Sequence, residues 1–181
     1  MRFYGGDFVY KNDNDKKFAL AAAILAMLLF TLVSCGKQMA ELKGSAKDVV
    51  FRVYSRAGIN TDSMYHEEFQ KDSAYTLGIS EESFEENVEE AHIYRPSELN
   101  PSKSIFIVIA KNKYGAEDLY NEIYEDYDWA PCDPADQAVF MLYDKYILMA
   151  KDDDEEIERI ANAFSDETEG NALMHFSRNP M

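Results

Sequence analysis

Two apolar stretches, 104-SIFIVIAK-111 and 138-AVFMLYDKYILMA-150, decide the fold of this chain. In the first stretch, Ile105, Ile107 and Ile109 alternate with apolar residues of the opposite face, which is typical of a central strand buried on both faces. The second stretch consists of two apolar runs that are separated only by Asp144-Lys145, and this spacing predicts a tight β-hairpin. The sequence therefore predicts a central strand followed by a hairpin.

Helical patterns surround these strands. Residues 46–58 follow Ser45, which is a favourable N-cap, and residues 116–129 carry an apolar stripe at steps of three and four. Residues 155–164 follow three aspartates, whose charges favour a helix N-terminus. Residues 59–79 are interpreted as a loop with short helical turns, and residues 80–94 as a capped helical turn that runs into a short edge strand.

These elements predict an α+β fold with a small antiparallel or mixed sheet of about four strands and helices packed against it. The helix between residues 111 and 138 also permits a right-handed crossover if the strands that it connects are parallel. We assign the α/β domain to residues 45–165 and interpret residues 166–181 as a flexible C-terminal tail.

An export signal precedes this domain. An uncharged apolar run from Phe18 to Leu32 follows two lysines and ends at small residues, which is the layout of a signal peptide. The residues Leu32-Val33-Ser34-Cys35 resemble the lipobox of bacterial lipoproteins, and the resemblance implies lipidation of Cys35, cleavage before it and acylation of the new N-terminus. Several acyl chains hold a protein stably at a membrane. Residues 1–34 are thus the signal peptide and residues 35–44 the lipidated tether; the alternative is an uncleaved signal anchor.

The charge of the chain excludes one class of partner. The 34 acidic and 18 basic residues give a formal net charge of -16, which opposes binding to a phosphate backbone over a broad surface. Nucleic acid is therefore not an expected partner.

The pattern of the folded part resembles a known family. Residues 104–127 (SIFIVIAKNKYGAEDLYNEIYEDY) and residues 138–153 (AVFMLYDKYILMAKDD), with the lipobox before them, are similar to uncharacterised lipoproteins of clostridial-type bacteria grouped as domain of unknown function 4358. The resemblance covers residues 47–164. It implies a lipid-anchored surface protein and implies no particular reaction, because the family has no assigned activity.

No catalytic residue, metal site or cofactor is assigned from the sequence. Cys132 is the only other thiol besides Cys35, and no signature places any of His66, His92 and His175 beside it. The acidic residues 152–156 are interpreted as a helix cap rather than a cation site, and the aspartates between residues 126 and 136 as turn residues.

Aromatic residues near the end of the second long helix are a weak candidate for ligand binding. Tyr124, Tyr127 and Trp129 are interpreted as a possible stacking platform for a sugar or peptide of the cell wall, with Trp129 as the most exposed member. Core packing is the alternative explanation of the same stripe.

Three functional hypotheses stay open. The first is a non-enzymatic module that is lipid-anchored on the extracytoplasmic face of the cell membrane and binds a protein or cell-wall component. The second is a cell-envelope enzyme that uses Cys132 or the acidic loop. The third is an accessory ligand-binding protein of a transporter.

Overall fold

The computed structural model describes residues 42–62, 64–95, 103–130 and 133–180. The predicted signal segment, the residues Leu32, Val33 and Ser34 that resemble a lipobox, and both cysteines, Cys35 and Cys132, lie outside these ranges. The lipidation predicted at Cys35 and the hypothetical role of Cys132 therefore concern residues that the structure does not describe.

Among the described residues, six strands form one antiparallel sheet in the order β1-β2-β3-β5-β4-β6. Their bounds are β1 Tyr65–Glu68, β2 Val88–Arg95, β3 Ser104–Ala110, β4 Gln137–Tyr143, β5 Tyr146–Asp152 and β6 Leu173–Arg178. The β4-β5 hairpin turns at Asp144-Lys145, with a positive φ of 53° at Asp144. Strand β3 lies between β2 and β5, and both of its faces are largely buried.

In the described part of the chain, four α-helices and one 3-10 helix cover the sheet: α1 Ala46–Arg56, the 3-10 helix Lys71–Leu77, α2 Glu81–Asn87, α3 Lys113–Glu125 and α4 Asp154–Glu167. Each α-helix begins at a polar residue whose side chain accepts a hydrogen bond from a first-turn backbone N–H. These caps are Ser45, Ser80, Asn112 and Asp153. The caps satisfy donors that have no partner within the helix, and each contributes about 1 kcal/mol.

A separate apolar core lies on each face of the sheet. On one face, Val53 of α1 and Phe164 of α4 pack with Ile107 of β3. On the other face, Leu119 of α3 and Leu77 of the 3-10 helix pack on the side chains of neighbouring strands. The sheet is therefore the middle layer of three.

The α+β class, the central position of β3 and the hairpin are confirmed. The predicted number of about four strands is wrong, because β1 and β6 extend the sheet to six. These two strands form its edges, and their half-exposed residues lack the strong apolar alternation that marks β3.

Two finer predictions differ from the structure, those for β2 and for the C-terminal segment, whereas the condition stated for a crossover between β3 and β4 is met. Strand β2 is not an edge strand, since it lies between β1 and β3. Strands β3 and β4 are both antiparallel to β5, so they run in the same direction but are separated by it. The segment interpreted as a tail contains β6, which pairs with β4 from Leu173 to Arg178.

Within the ranges given above, the structure contains no helix long and apolar enough to cross a membrane.

Candidate functional site

A cleft of about 490 Å³ opens on the α3 side of the sheet. Its floor contains Ile93, Phe106 and Met149, which are directly opposite one another on β2, β3 and β5. Clefts of this size with an apolar floor are typical sites for small ligands in proteins. We therefore treat this cleft as the candidate functional site.

The walls of the cleft come from two segments that the structure ties together. One wall is residues 75–78 at the end of the 3-10 helix, and the other is formed by residues that follow α3. Gly78 ends the 3-10 helix with φ 75°, a conformation that glycine adopts without strain. The backbone N–H of Ser80 donates to Oε1 of Glu122 at 2.8 Å. This bond joins the segment after the 3-10 helix to α3 and holds the walls in place.

Two basic residues line the cleft, and each is already paired. Lys151 Nζ lies 2.7 Å from Oδ2 of Asp133, and both side chains are largely buried. Arg95 Nη2 donates to Oε2 of Glu67 at 2.9 Å, and the guanidinium lies over the ring of Tyr65 at 5.3 Å from its centroid. The positive charges at the cleft are therefore largely neutralised by neighbouring carboxylates.

Two polar atoms next to these pairs are buried and make no hydrogen bond with any described residue. They are Nε of Arg95 and Oγ of Ser104, which lies opposite Lys151 on the adjacent strand. Because Ser104 is only 1% exposed, its hydroxyl does not face the open cleft. An activated serine needs a base within hydrogen-bond distance, and no described side chain supplies one to Ser104.

The acidic residues of the cleft have no basic partners among the described residues. Asp126 and Asp128 are exposed on the wall that follows α3, and neither forms an ion pair with another residue of the described ranges. Burial and, after it, the negative charges of Asp133 and Asp128 raise the pKa of Tyr127 in the same wall. The open part of the cleft is consequently negative.

The aromatic residues singled out from the sequence do not form one platform. Tyr127 lines the cleft and packs edge-on against Trp129 and Phe140, whereas Tyr124 packs edge-on against Phe140, lies beside His175 and does not line the cleft. Trp129 is half-buried and donates from Nε1 to Oγ of Ser177 at 3.0 Å. The prediction that Trp129 is the most exposed member is wrong, because Tyr124 is 38% exposed whereas Trp129 is half-buried against Ser177 of β6.

The three histidines occupy opposite edges of the sheet. His66 Nε2 and His92 Nδ1 lie 2.9 Å apart at the β1 edge, so one ring donates a hydrogen bond to the other. Burial and the neighbouring His66 lower the pKa of His92, while Glu90 and Glu68 oppose this shift. His175, on β6, contacts the hydroxyl of Tyr120 through Nδ1 at 3.1 Å.

The acidic residues 152–156 include the N-cap and the first turn of α4. Asp153 Oδ1 accepts from the backbone N–H of Glu156 at 3.0 Å, and Lys103 binds both Asp152 and Asp153. Elsewhere in the described ranges, too, no group of three or more histidine, cysteine, aspartate or glutamate residues has the arrangement of a metal site.

Most of the cleft was not predicted from the sequence. Alternation in β3 indicates that Phe106 shares a face with Val108, but it does not indicate which residues of β2 and β5 lie beside it. Tyr75 and Leu77 belong to a region that was interpreted as a loop with short helical turns, and the 3-10 helix agrees with that, but nothing in the sequence placed the region beside the sheet. Asp126 and Asp128 were noted as turn residues, and only their position beside an apolar floor makes them candidates for ligand binding.

Two comparisons with known proteins found nothing similar: no protein-family model matches the chain, and no curated protein matches it significantly.

Proposed function

We propose that this protein is a lipid-anchored, extracytoplasmic binding domain that holds a small ligand of the cell envelope and catalyses no reaction. The observation that supports binding is the cleft, which combines an apolar floor with polar walls. The export signal and the lipobox support the location. The similarity to uncharacterised clostridial-type lipoproteins agrees with both, and membership of that family is part of the proposal.

The distribution of charge supports an orientation at the membrane. Residues 35–56 contain five basic and two acidic side chains, whereas residues 57–181 contain nine basic and 29 acidic ones. Anionic head groups attract basic residues that lie close to an anchor, by about 1 kcal/mol per residue near the surface. Helix α1 follows the tether and carries Lys47, Arg52 and Arg56, of which the two arginines both pair with Glu167 of α4. We infer that α1 is the part of the domain nearest to the membrane.

The anchor is tested by labelling the full chain with a clickable fatty acid in a Gram-positive host. We expect label in the unaltered chain and in Cys132→Ala, and none in Cys35→Ala. Cys132→Ala is the matched control because Cys132 is the other cysteine of the chain. Label that persists in Cys35→Ala, or an unlabelled wild-type chain, would refute the anchor.

Binding at the cleft is tested with a photo-crosslinking amino acid at Tyr75 in intact cells. Tyr75 lines the cleft, and its control is Tyr114, which is equally exposed at 80% and lies outside the cleft. We expect adducts from position 75 that disappear when Phe106→Ala alters the floor, and none from position 114. Equal adducts from the two positions, or none from position 75, would refute binding at the cleft.

The enzymatic alternative predicts a different outcome for the remaining thiol. If the protein is a binding module, Cys132→Ser leaves its cellular phenotype unchanged. Loss of that phenotype in a folded variant would favour an enzyme over a binding domain.

A further inference from the structure

We propose that the cleft binds a small organic cation, namely an ammonium group carried on an apolar or aromatic body. This inference rests on the binding function proposed above and names the chemical class of its ligand. It depends on the balance of charge in the cleft, on the end of α3 and on the aromatic lining.

Counted together with the carboxylates that pair with its two basic residues, the cleft has two positive and four negative side chains. Lys151 is paired with Asp133, and Arg95 is paired with Glu67, so both cations have their charges offset within the protein. Asp126 and Asp128 line the same cleft, and neither has a basic partner among the described residues. Two carboxylates are therefore available to a ligand, whereas the basic groups already have partners.

The end of α3 adds to this negative potential. The last carbonyl groups of a helix carry roughly half a negative charge, which basic side chains in the last turn usually offset. The last turn of α3 has no basic residue, and it contains Glu122 and Glu125 just before the cap residue Asp126. Like charges at this position disfavour the folded state, and a bound cation would relieve that repulsion.

The lining of the cleft suits the apolar part of such a ligand. Phe106 lies in the floor, Tyr127 in one wall and Tyr75 at the exposed rim of the other. Aromatic rings attract cations at their faces by about 0.5–1 kcal/mol at exposed sites and more when water is excluded. A volume of about 490 Å³ accommodates a ligand of the size of an aromatic amine or a dipeptide.

An anionic ligand is the main alternative, and the charges of the protein disfavour it. The buried Nε of Arg95 and Oγ of Ser104 are not open to the cleft, so they offer no donors to an anion there. The formal net charge of -16 also lowers the local concentration of anions and raises that of cations.

The test compares three probes with the same phenyl ring: phenethylamine, 3-phenylpropionate and 2-phenylethanol. Binding to the full-length protein is followed by NMR of the methionine methyl groups. Met149 lies in the cleft floor, and Met174, which packs with the core on the opposite face, is the reference. We expect phenethylamine alone to shift Met149 strongly, with binding that weakens from about 0.15 to about 1 M salt as the charges are screened.

Paired variants assign the recognition to the two aspartates. Asp126→Asn with Asp128→Asn should weaken binding of phenethylamine about 5- to 10-fold, as expected for two exposed charge pairs. The control is Asp118→Asn, an exposed acidic residue of α3 outside the cleft, which should leave binding unchanged. The blocked dipeptide N-acetyl-Phe-Lys-amide tests the source of the cation. Binding tighter than that of phenethylamine indicates a peptide, and weaker binding indicates a free amine.

The outcomes separate this inference from the proposed function. If 2-phenylethanol binds as well as phenethylamine, or the Asn variants bind phenethylamine unchanged, the cleft is apolar without preference for cations and the inference is wrong. Preferential binding of 3-phenylpropionate overturns it in favour of an anion. The proposed function has its own tests: binding at the cleft fails if position 75 gives no adducts or the same adducts as position 114, and the anchor fails if Cys35→Ala keeps the label.

Discussion

Lys151 and Asp133 show what a single residue contributes to both stability and the cleft. Of the ion pairs that the structure describes, theirs is the most deeply buried, with 15% and 4% of the two side chains exposed. Asp133 also accepts from the backbone N–H of Ala135 at 3.1 Å, which holds the loop before β4. Removing one partner of a buried pair leaves the other charge in a poorly solvated site.

We predict that Lys151→Met destabilises the domain by about 3 kcal/mol, because the buried carboxylate of Asp133 loses its partner. The measurement is the free energy of unfolding from urea titration. The matched control is Lys71→Met, whose pair with Glu85 leaves 47% and 69% of the two side chains exposed and should cost no more than about 1 kcal/mol. If the two variants lost the same free energy of unfolding, burial of the Lys151–Asp133 pair would not explain the effect.

The contact between His66 and His92 at the β1 edge predicts that the stability of the domain depends on pH. The pKa of His92 is lower in the folded state than in the unfolded chain, so the unfolded chain binds a proton more readily. The contribution of His92 to stability is therefore present above the pKa of the unfolded chain and is lost as the pH falls below that value. Between about pH 7.5 and 5.5, the wild type should therefore lose more stability than His92→Gln. Thermal unfolding at several pH values measures the difference, and parallel curves for wild type and variant would contradict it. His175→Gln, at the opposite edge, is the control.

At the scale of elements, the last strand changes the interpretation of the C-terminal region. Strand β6 pairs with β4 along its whole length, and its side chains contact residues of α3 and of the segment after it: Tyr120 with His175, and Trp129 with Ser177. The segment that was interpreted as a flexible tail therefore forms an edge strand of the sheet.

We predict that a variant ending at Gly170 loses more than about 3 kcal/mol of stability or fails to fold, since β4 then becomes an exposed apolar edge. A variant ending at Asn179 is the control, because it keeps β6 and the hydrogen bonds from Asn179 to Asp133 and Ala135. Circular dichroism and thermal unfolding provide the comparison. If both truncated chains unfold like the wild type, β6 contributes little to the fold.

At the scale of the whole molecule, the charge is unevenly distributed. The basic residues near α1 and the acidic remainder give the domain a strong electrostatic asymmetry, and at physiological ionic strength the distant acidic residues are screened beyond about 8 Å. A surface near α1 can therefore contact an anionic membrane although the whole chain is acidic.

We predict that residues 39–181, which include both apolar cores, sediment at about 0.15 M salt with vesicles containing phosphatidylglycerol but not with phosphatidylcholine alone. Lys43→Glu with Lys47→Glu should lower this binding by roughly 10-fold or more, given about 1 kcal/mol for each basic residue near the surface. Lys111→Glu with Lys113→Glu, at the start of α3, is the charge-matched control. Equal effects of the two pairs would show that only net charge matters.

The sequence alone determined the elements whose signals are local. Apolar alternation over residues 104–111 identified β3, the short spacing at Asp144-Lys145 identified the hairpin, and the N-caps at Ser45 and Ser80 identified helix starts. Each of these depends on contacts within a few residues, so the pattern is complete in the sequence.

Only the tertiary structure decided the edge strands and the cleft. Strands β1 and β6 gain their stability from pairing with β2 and β4, and their own residues are too exposed to show a strong apolar period. The cleft joins Arg95, Phe106, Asp126 and Lys151, which are far apart in the chain and come together through the strand order and the position of α3. These side chains line one cleft only in the folded chain. Folding pairs the charges of Arg95 and Lys151 with carboxylates and leaves the carboxylate of Asp126 exposed to solvent.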